Sequence, residues 1–406
     1  MNPNRILNID DLRSLARRQL PSFAFAYLDG GAEDELSLRA NTGIYQRLRF
    51  LTHTLRDTSQ RDYSTLLLGR QSALPFAIAP TGFNGMLWPE ADILLAQAAC
   101  DAGIPFTLST MSSASLEQVA QQVPDGRRWF QLYVLKDRSI ARDLINRAQS
   151  AGYDTLVVTT DCAHYGKRER ELRHFRAPLK LNLSAMLDVA AHPGWVRRVV
   201  LPSRGLPGFG NLAPYLPPGD KGRGAQFIAS QLDASLNWRD VEDLRARWRG
   251  KFVIKGILSA EDARTALACG ADGVVLSNHG GRQLDACVHP LQILQETREA
   301  VGDQAQIFVD SGLRRGSHIA KALALGADGA LIGRPALYGV AAGGLAGARL
   351  ALKILADELD RCAALIGARD YAELRRVAMQ DVDRQTLPEQ AGEAYTQSPL
   401  VRHRVA

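Results

Sequence analysis

The stretch Ser277-Asn-His-Gly-Gly-Arg-Gln-Leu-Asp285 carries an imidazole, His279, and a permanent cation, Arg282. Gly280 and Gly281 lie between them and make the backbone permissive. A base beside a guanidinium fork suits removal of a proton from a small hydroxy acid whose carboxylate the fork holds. The aliphatic run just before it, Val274-Val-Leu276, reads as a buried strand, and strand ends are where α/β enzymes place chemistry.

A second group of residues suits an anion. Asp310-Ser-Gly-Leu-Arg-Arg-Gly316 and Ile332-Gly-Arg-Pro335 each follow an apolar run. Gly312 and Gly333 let backbone N–H groups approach an anion, and Arg314 and Arg334 can neutralise it. One Gly-Arg pair is an ordinary turn with a surface charge. Two at successive strand ends point to a phosphate.

These residues need a scaffold, and the chain repeats one unit. Short apolar runs recur at 75–80, 105–109, 129–134, 155–161, 252–256, 273–277, 306–311 and 329–333, each followed by a helical stretch. Eight strands alternating with helices predict a (β/α)8 TIM barrel. Gly270-Ala-Asp-Gly273 and Gly326-Ala-Asp-Gly329 are the same helix-to-strand turn used twice. The whole of 1–406 reads as one domain. Residues 1–70 form an N-terminal helical extension and 176–225 a long insertion after strand four.

The strand ends should converge on one face. In chain order they supply Pro80, Thr81 and Gly82, then Ser109, Gln131 with Tyr133, Thr159 with Asp161, Lys255, Ser277 with His279 and Arg282, Asp310, and Gly333 with Arg334. A ring of neutral hydrogen-bonding groups with one lysine suits a planar heterocycle such as a flavin, Lys255 stabilising negative charge on its reduced form.

Composition narrows the alternatives. The apolar fraction of 46% and charged fraction of 23% are those of an ordinary folded protein. The net charge of +6 is spread among acidic residues rather than clustered, which argues against a nucleic-acid partner. Cys100, Cys162, Cys269, Cys287 and Cys362 show no ligand spacing, so neither a bound metal nor a disulfide frame is expected, and a reducing, cytoplasmic setting is. The N-terminus lacks an apolar signal core, and no stretch reads as long and apolar enough to span a bilayer.

The Ser277–Asp285 motif, with Tyr27-Leu-Asp-Gly-Gly-Ala-Glu-Asp34, Phe130-Gln-Leu-Tyr133 and Lys321-Ala-Leu-Ala-Leu-Gly326, resembles the FMN-dependent α-hydroxy acid oxidase and dehydrogenase family. The resemblance covers nearly the whole chain. Within the family it is nearest to the mandelate dehydrogenases, through Pro80-Thr-Gly-Phe-Asn-Gly-Met-Leu-Trp-Pro89, Gly166-Lys-Arg-Glu-Arg-Glu-Leu172 and His192-Pro-Gly-Trp195.

The resemblance implies FMN as cofactor and oxidation of an (S)-2-hydroxy acid, mandelate- or lactate-like, to the 2-oxo acid. It implies that His279 takes the proton, Asp161 orients it, Tyr133 hydrogen-bonds the substrate oxygen, and Arg282, Tyr27 and Arg168 bind the substrate. Lys255 would face the flavin, with Pro80, Thr81, Gly82, Ser109, Gln131, Thr159 and Ser277 around it. Asp310 would meet the ribityl chain, and Gly312, Arg314, Gly333 and Arg334 the phosphate. Asp161 next to His279 is expected to raise its basicity. Arg168 has an alternative partner in Glu169 or Glu171.

Departures from the family bear on specificity. Cys162-Ala-His-Tyr165 replaces a common proline, Met111 stands where glycolate oxidase-like members have a tryptophan, and Gly82 stands where many oxidases have alanine. Gly82 favours a dehydrogenase passing electrons to a quinone or other acceptor over an oxygen-using oxidase. A non-catalytic flavin-binding protein would lack the His279, Arg282 and Asp161 set. His164 follows strand four and could line the pocket, whereas His53, His318 and His403 read as surface.

The insertion mixes Leu179, Leu181, Leu183, Met186, Leu187, Trp195, Val196, Val199 and Val200 with Lys180, Arg197, Arg198 and Arg204. Two readings stand for it: an interfacial segment at 177–215 on the cytoplasmic membrane, or a lid over the active site. A homotetramer is also implied.

Overall fold

The computed structural model describes residues 5–177, 180–203, 205–216 and 230–382. Eight parallel strands close a barrel in chain order: β1 (Phe76–Ile78), β2 (Phe106–Ser109), β3 (Arg128–Leu132), β4 (Thr155–Thr159), β5 (Lys251–Ile257), β6 (Gly273–Leu276), β7 (Gln306–Val309) and β8 (Gly329–Ile332). Most of their residues are buried, because one face meets the barrel interior and the other the surrounding helices. That double burial is why the strands read as continuous aliphatic runs.

The interior is filled by Ala77, Trp129, Val157, Val253, Val275, Phe308 and Leu331. Leu67 and Leu68, from a hairpin ahead of the barrel, join this cluster and close its N-terminal end. Strand β5 is irregular: its register with β6 shifts between Lys255 and Ile257. Gly256 sits there with φ +104, where a Cβ would lie 2.8 Å from the Asp161 Cβ.

Ahead of the barrel the described chain forms three helices and short strands. Helix α1 (Ile9–Gln19) is closed by a reciprocal Asn8–Asp11 capping box and packs on the long helix Arg334–Ile366. Helix α2 (Ser22–Asp29) runs into Gly30 and Gly31, and α3 (Leu36–Arg47) follows. Strand Leu48–Phe50 then pairs with Met379–Asp381, tying the extension to the far end of the described chain.

Three expectations need correction. Arg334–Ile366 is long and apolar enough to cross a membrane, but most of its apolar window is buried against the barrel and it breaks at Gly343 and Gly344. His318 is not a surface residue: its ring stacks on Tyr45 at 4.4 Å, and burial pushes its pKa down to about 3. Trp195 is 1% exposed, donates to the Met86 carbonyl at 2.8 Å and packs edge-on against Phe23, so it anchors the insertion in the core rather than in an interface. Leu179, Arg204 and His403 lie outside the described residues.

What the insertion does expose is helix Leu183–Ala190, capped by Asn182. Leu183, Met186 and Leu187 share one helical face and are more than half exposed, as is Leu201.

Candidate active site

Beyond the end of β6, Ser277 and Asn278 are buried and His279 takes a left-handed φ of +56. Its N–H donates to Ser277 Oγ at 3.0 Å, which holds this turn. The Nδ1 lies 2.9 Å from Asp161 Oδ1, and Nε2 lies 3.4 Å from the Tyr133 hydroxyl. A carboxylate only accepts, so Nδ1 carries the proton and Nε2 presents a lone pair to the cavity.

Burial pulls the His279 pKa below its ordinary value, and Asp161 offsets only part of that. The net shift is therefore opposite to the expected rise in basicity, and it keeps the ring neutral and ready to accept a proton. Burial would raise the Asp161 pKa, but His279 and Lys255 outweigh it and hold the carboxyl at about 2. Gln283, given no role from the sequence, ties this corner together: its amide donates to the carbonyls of Asp161 and His164, both at 2.8 Å.

Lys255 is buried, with Nζ 3.0 Å from Asp310 and 2.8 Å from Ser277 Oγ. Burial lowers its pKa, but Asp310 and Asp161 overcome that and raise it, so the lysine stays charged. Across the barrel mouth Ser109 donates to Gln131 Oε1 at 3.0 Å. Two buried polar atoms in this ring, Gln131 Nε2 and Thr159 Oγ1, have no hydrogen-bond partner among the described residues. Buried polar atoms are rarely left so, which makes these two candidates for a ligand's donors and acceptors.

The anion end is sharper still. Arg334 is largely buried, and its guanidinium hydrogen-bonds only carbonyls among the described residues: Leu28 O at 3.1 Å, Gly280 O at 2.9 Å and Gly30 O at 2.7 Å. Burial, with repulsion from Arg314 and Arg282, pushes its pKa down to about 9. A buried cation in the company of cations calls for an anion. Arg314, Gly312 and Gly333 line the same cavity.

That cavity, of about 840 Å³, runs from the arginines to His279 and is large enough for a cofactor with a substrate above it. Pro80, Thr81, Gly82, Ser109, Met111, Tyr27, Tyr133, Lys255 and Asp310 line it, while Gln131, Thr159, Ser277 and Asp161 stand just behind the wall. Gly82 and Met111 are one contact: a Cβ on Gly82 would lie 2.7 Å from the Met111 Cβ. The Tyr27 hydroxyl donates to the Gly82 carbonyl at 2.9 Å.

Near His279, Arg282 donates to the carbonyls of Tyr27 and Gly30 and pairs with Glu171 at 2.9 Å. Glu171 thus partners Arg282 rather than Arg168. Arg168 instead donates to the Arg282 carbonyl and lies over the Tyr165 ring. Tyr165, not His164, faces the cavity, and His164 is exposed. Apolar walls come from Phe83 and, from the insertion, Leu206 and Phe209, with Phe83 and Phe209 stacked at 5.0 Å. None of these wall residues was marked in the sequence, because irregular loops have no period to show which side chains turn inward.

The profile of the family described as FMN-dependent dehydrogenase matches residues 16–381. The chain belongs to this family. FMN is therefore its cofactor, and the orphaned Gln131 and Thr159 atoms and the uncompensated Arg334 fit a ring with polar edges and a phosphate. The chain is 44% identical to (S)-mandelate dehydrogenase of Pseudomonas putida over 91% of its length and 92% of that protein's. It is 40% identical to an L-lactate dehydrogenase of Xanthomonas campestris pv. campestris over 92% of this chain and 97% of that one. Both named substrates are 2-hydroxy acids. Among solved structures, monotopic membrane protein (S)-mandelate dehydrogenase superposes with a TM-score of 0.88 at 42% identity, covering 93% of this chain and all of that one. Mandelate oxidase superposes with a TM-score of 0.79 at 35% identity, covering 92% and 98%.

Proposed function

We propose that this dehydrogenase oxidises an (S)-2-hydroxy acid of the mandelate or lactate kind to the 2-oxo acid and passes the electrons to a quinone. The observation that carries the reading is a neutral base and two arginines in one cavity: His279 Nε2 faces the space beside which Arg282 and Arg168 stand. Bound FMN supplies the two-electron acceptor. Arg282 and Arg168 hold the substrate carboxylate, and the Tyr27 hydroxyl joins them by turning away from the Gly82 carbonyl. Tyr133 binds the oxygen that becomes the keto group. His279 Nε2 ends with the proton, and Asp161 steadies the imidazolium. Lys255, charged and buried, offsets negative charge on the cofactor side. The phenylalanine-rich wall suits an aryl or alkyl side chain.

Anaerobic mixing with glycolate, lactate, mandelate and longer 2-hydroxy acids tests this reading. Yellow enzyme should bleach with at least one of them and recolour with a quinone. No bleaching by any would refute the activity, and rapid recolouring by oxygen with hydrogen peroxide release would make it an oxidase.

The exposed face of Leu183, Met186 and Leu187 supports a peripheral contact with the cytoplasmic membrane, while Leu206 and Phe209 close the cavity, so the insertion serves as both contact and lid. Deleting 177–215 should move the protein from the membrane to the soluble fraction; an unchanged distribution would remove that part of the proposal. The assembly proposed is a homotetramer, read by light scattering.

A further inference from the structure

Behind the base, on the side away from the cavity, three different ligand types meet. Cys162 Sγ lies 3.4 Å from Asp161 Oδ1 and 3.6 Å from His279 Nδ1, and those two atoms are 2.9 Å apart. We propose that Asp161, Cys162 and His279 form an inhibitory binding site for a thiophilic divalent cation such as Zn²⁺.

Geometry supports it first. Tetrahedral zinc with sulfur, nitrogen and oxygen ligands at their usual bond lengths holds those atoms about 3.4–3.6 Å from one another. Two sides of the observed triangle already match, and a shift of roughly half an ångström at Asp161 opens the third. Asp161 Oδ2 is buried with no partner among the described residues, so the carboxylate has spare acceptor capacity. Charge supports it next. Asp161 and a Cys162 thiolate together neutralise a divalent ion. The nearby Lys255 is itself offset by Asp310 at 3.0 Å.

The consequence for the base follows from imidazole chemistry, and it rests on the reading of His279 given above. A metal on Nδ1 takes the lone pair that a proton now occupies, and that proton moves to Nε2. Cys162 releases its thiol proton to solvent on binding. An Nε2 that carries a proton cannot accept one from the substrate. The cation therefore switches off the base through its tautomer while leaving Arg282, Arg168 and the carboxylate site untouched. Inhibition should lower kcat and leave KM nearly unchanged.

The test uses the FMN-loaded enzyme and Zn²⁺ alone. Equilibrium dialysis should find a site whose zinc X-ray absorption shows one sulfur neighbour, with inhibition reversed by a chelator. Cys162→Ala should keep metal-free turnover, lose the sulfur neighbour and need about tenfold or more zinc for the same inhibition. Cys162→Ser should fall between. Equal inhibition of wild type and both variants, or zinc bound without sulfur, would overturn the site. Binding is read separately from turnover, so bleaching that survives in His279→Gln would refute the assigned base while sulfur-ligated zinc in the wild type would still stand.

Discussion

Arg282 and Glu171 form an ion pair at 2.9 Å inside the cavity proposed to receive a substrate carboxylate, each only 14% exposed. Arg282 is also held by two backbone carbonyls, so Glu171 is the partner able to yield. The resident carboxylate competes with the incoming one for the same fork. Glu171→Gln should therefore lower KM for the hydroxy acid by about tenfold, or ~1.4 kcal/mol, with little change in kcat. A raised KM would mean that Glu171 serves to hold the fork in place.

The His279–Asp161 pair separates chemistry from cofactor binding. His279→Gln should keep FMN and lose anaerobic bleaching by substrate. Asp161→Asn should retain FMN while kcat falls by roughly 10²–10⁴. Wild-type bleaching rates in a FMN-loaded His279→Gln enzyme would count against the base.

Gly256 is a positioning residue. An alanine there meets Asp161 at 2.8 Å and must hold φ near +104. Gly256→Ala should cost about 1–3 kcal/mol of stability by denaturant titration and lower kcat at least tenfold through a displaced Asp161. A folded variant with normal kcat would show that the carboxylate tolerates the push.

Arg334 should matter more to FMN than to the fold. Its charge is buried without a carboxylate, so Arg334→Met should leave the FMN-free protein at least as heat-stable as wild type. It should also weaken FMN binding about 10–100-fold, the loss of charge-assisted bonds. Unchanged FMN affinity would move the phosphate elsewhere.

His289 makes stability depend on pH. Its Nδ1 accepts from Leu291 N at 3.0 Å, its Nε2 faces the Ser311 carbonyl, and burial pushes its pKa from 6.5 down to about 4. Above pH 6.5 the ring is neutral folded or unfolded, and its contribution is fully present. As pH falls from 6.5 towards about 4, the unfolded chain gains a proton that the folded one refuses, and up to about 3 kcal/mol is lost. His289→Gln should flatten that part of the denaturation profile by about one proton; an unaltered slope would assign the loss to other groups.

The barrel was legible because strands buried on both faces must be aliphatic throughout, and the runs ending at Leu276 and Val309 show it. His279, Lys255 and Arg334 were legible because they interrupt or end such runs. The Arg282–Glu171 pair was not: it joins segments 111 residues apart, one of them in a loop without periodicity. Tyr165 over His164 was closed for the same reason, since neighbours in irregular backbone give no sign of which turns inward. The fall in His279 pKa was missed because a sequence displays the neighbouring charge but not the depth of burial. Trp195 fits both the interfacial and the lid reading in sequence, because an aromatic among cations looks the same whether it meets lipid or Phe23.

The carbonyls of Tyr27, Leu28 and Gly30 hold Arg282 and Arg334. A ribosome makes the first of these residues long before the last. The proposed phosphate seat therefore cannot exist on a nascent chain until the eighth strand has emerged and the early helix has docked beside it. An apoprotein lacking the early helix should then fold its barrel yet hold FMN poorly, because Arg334 would lose the carbonyls that aim it.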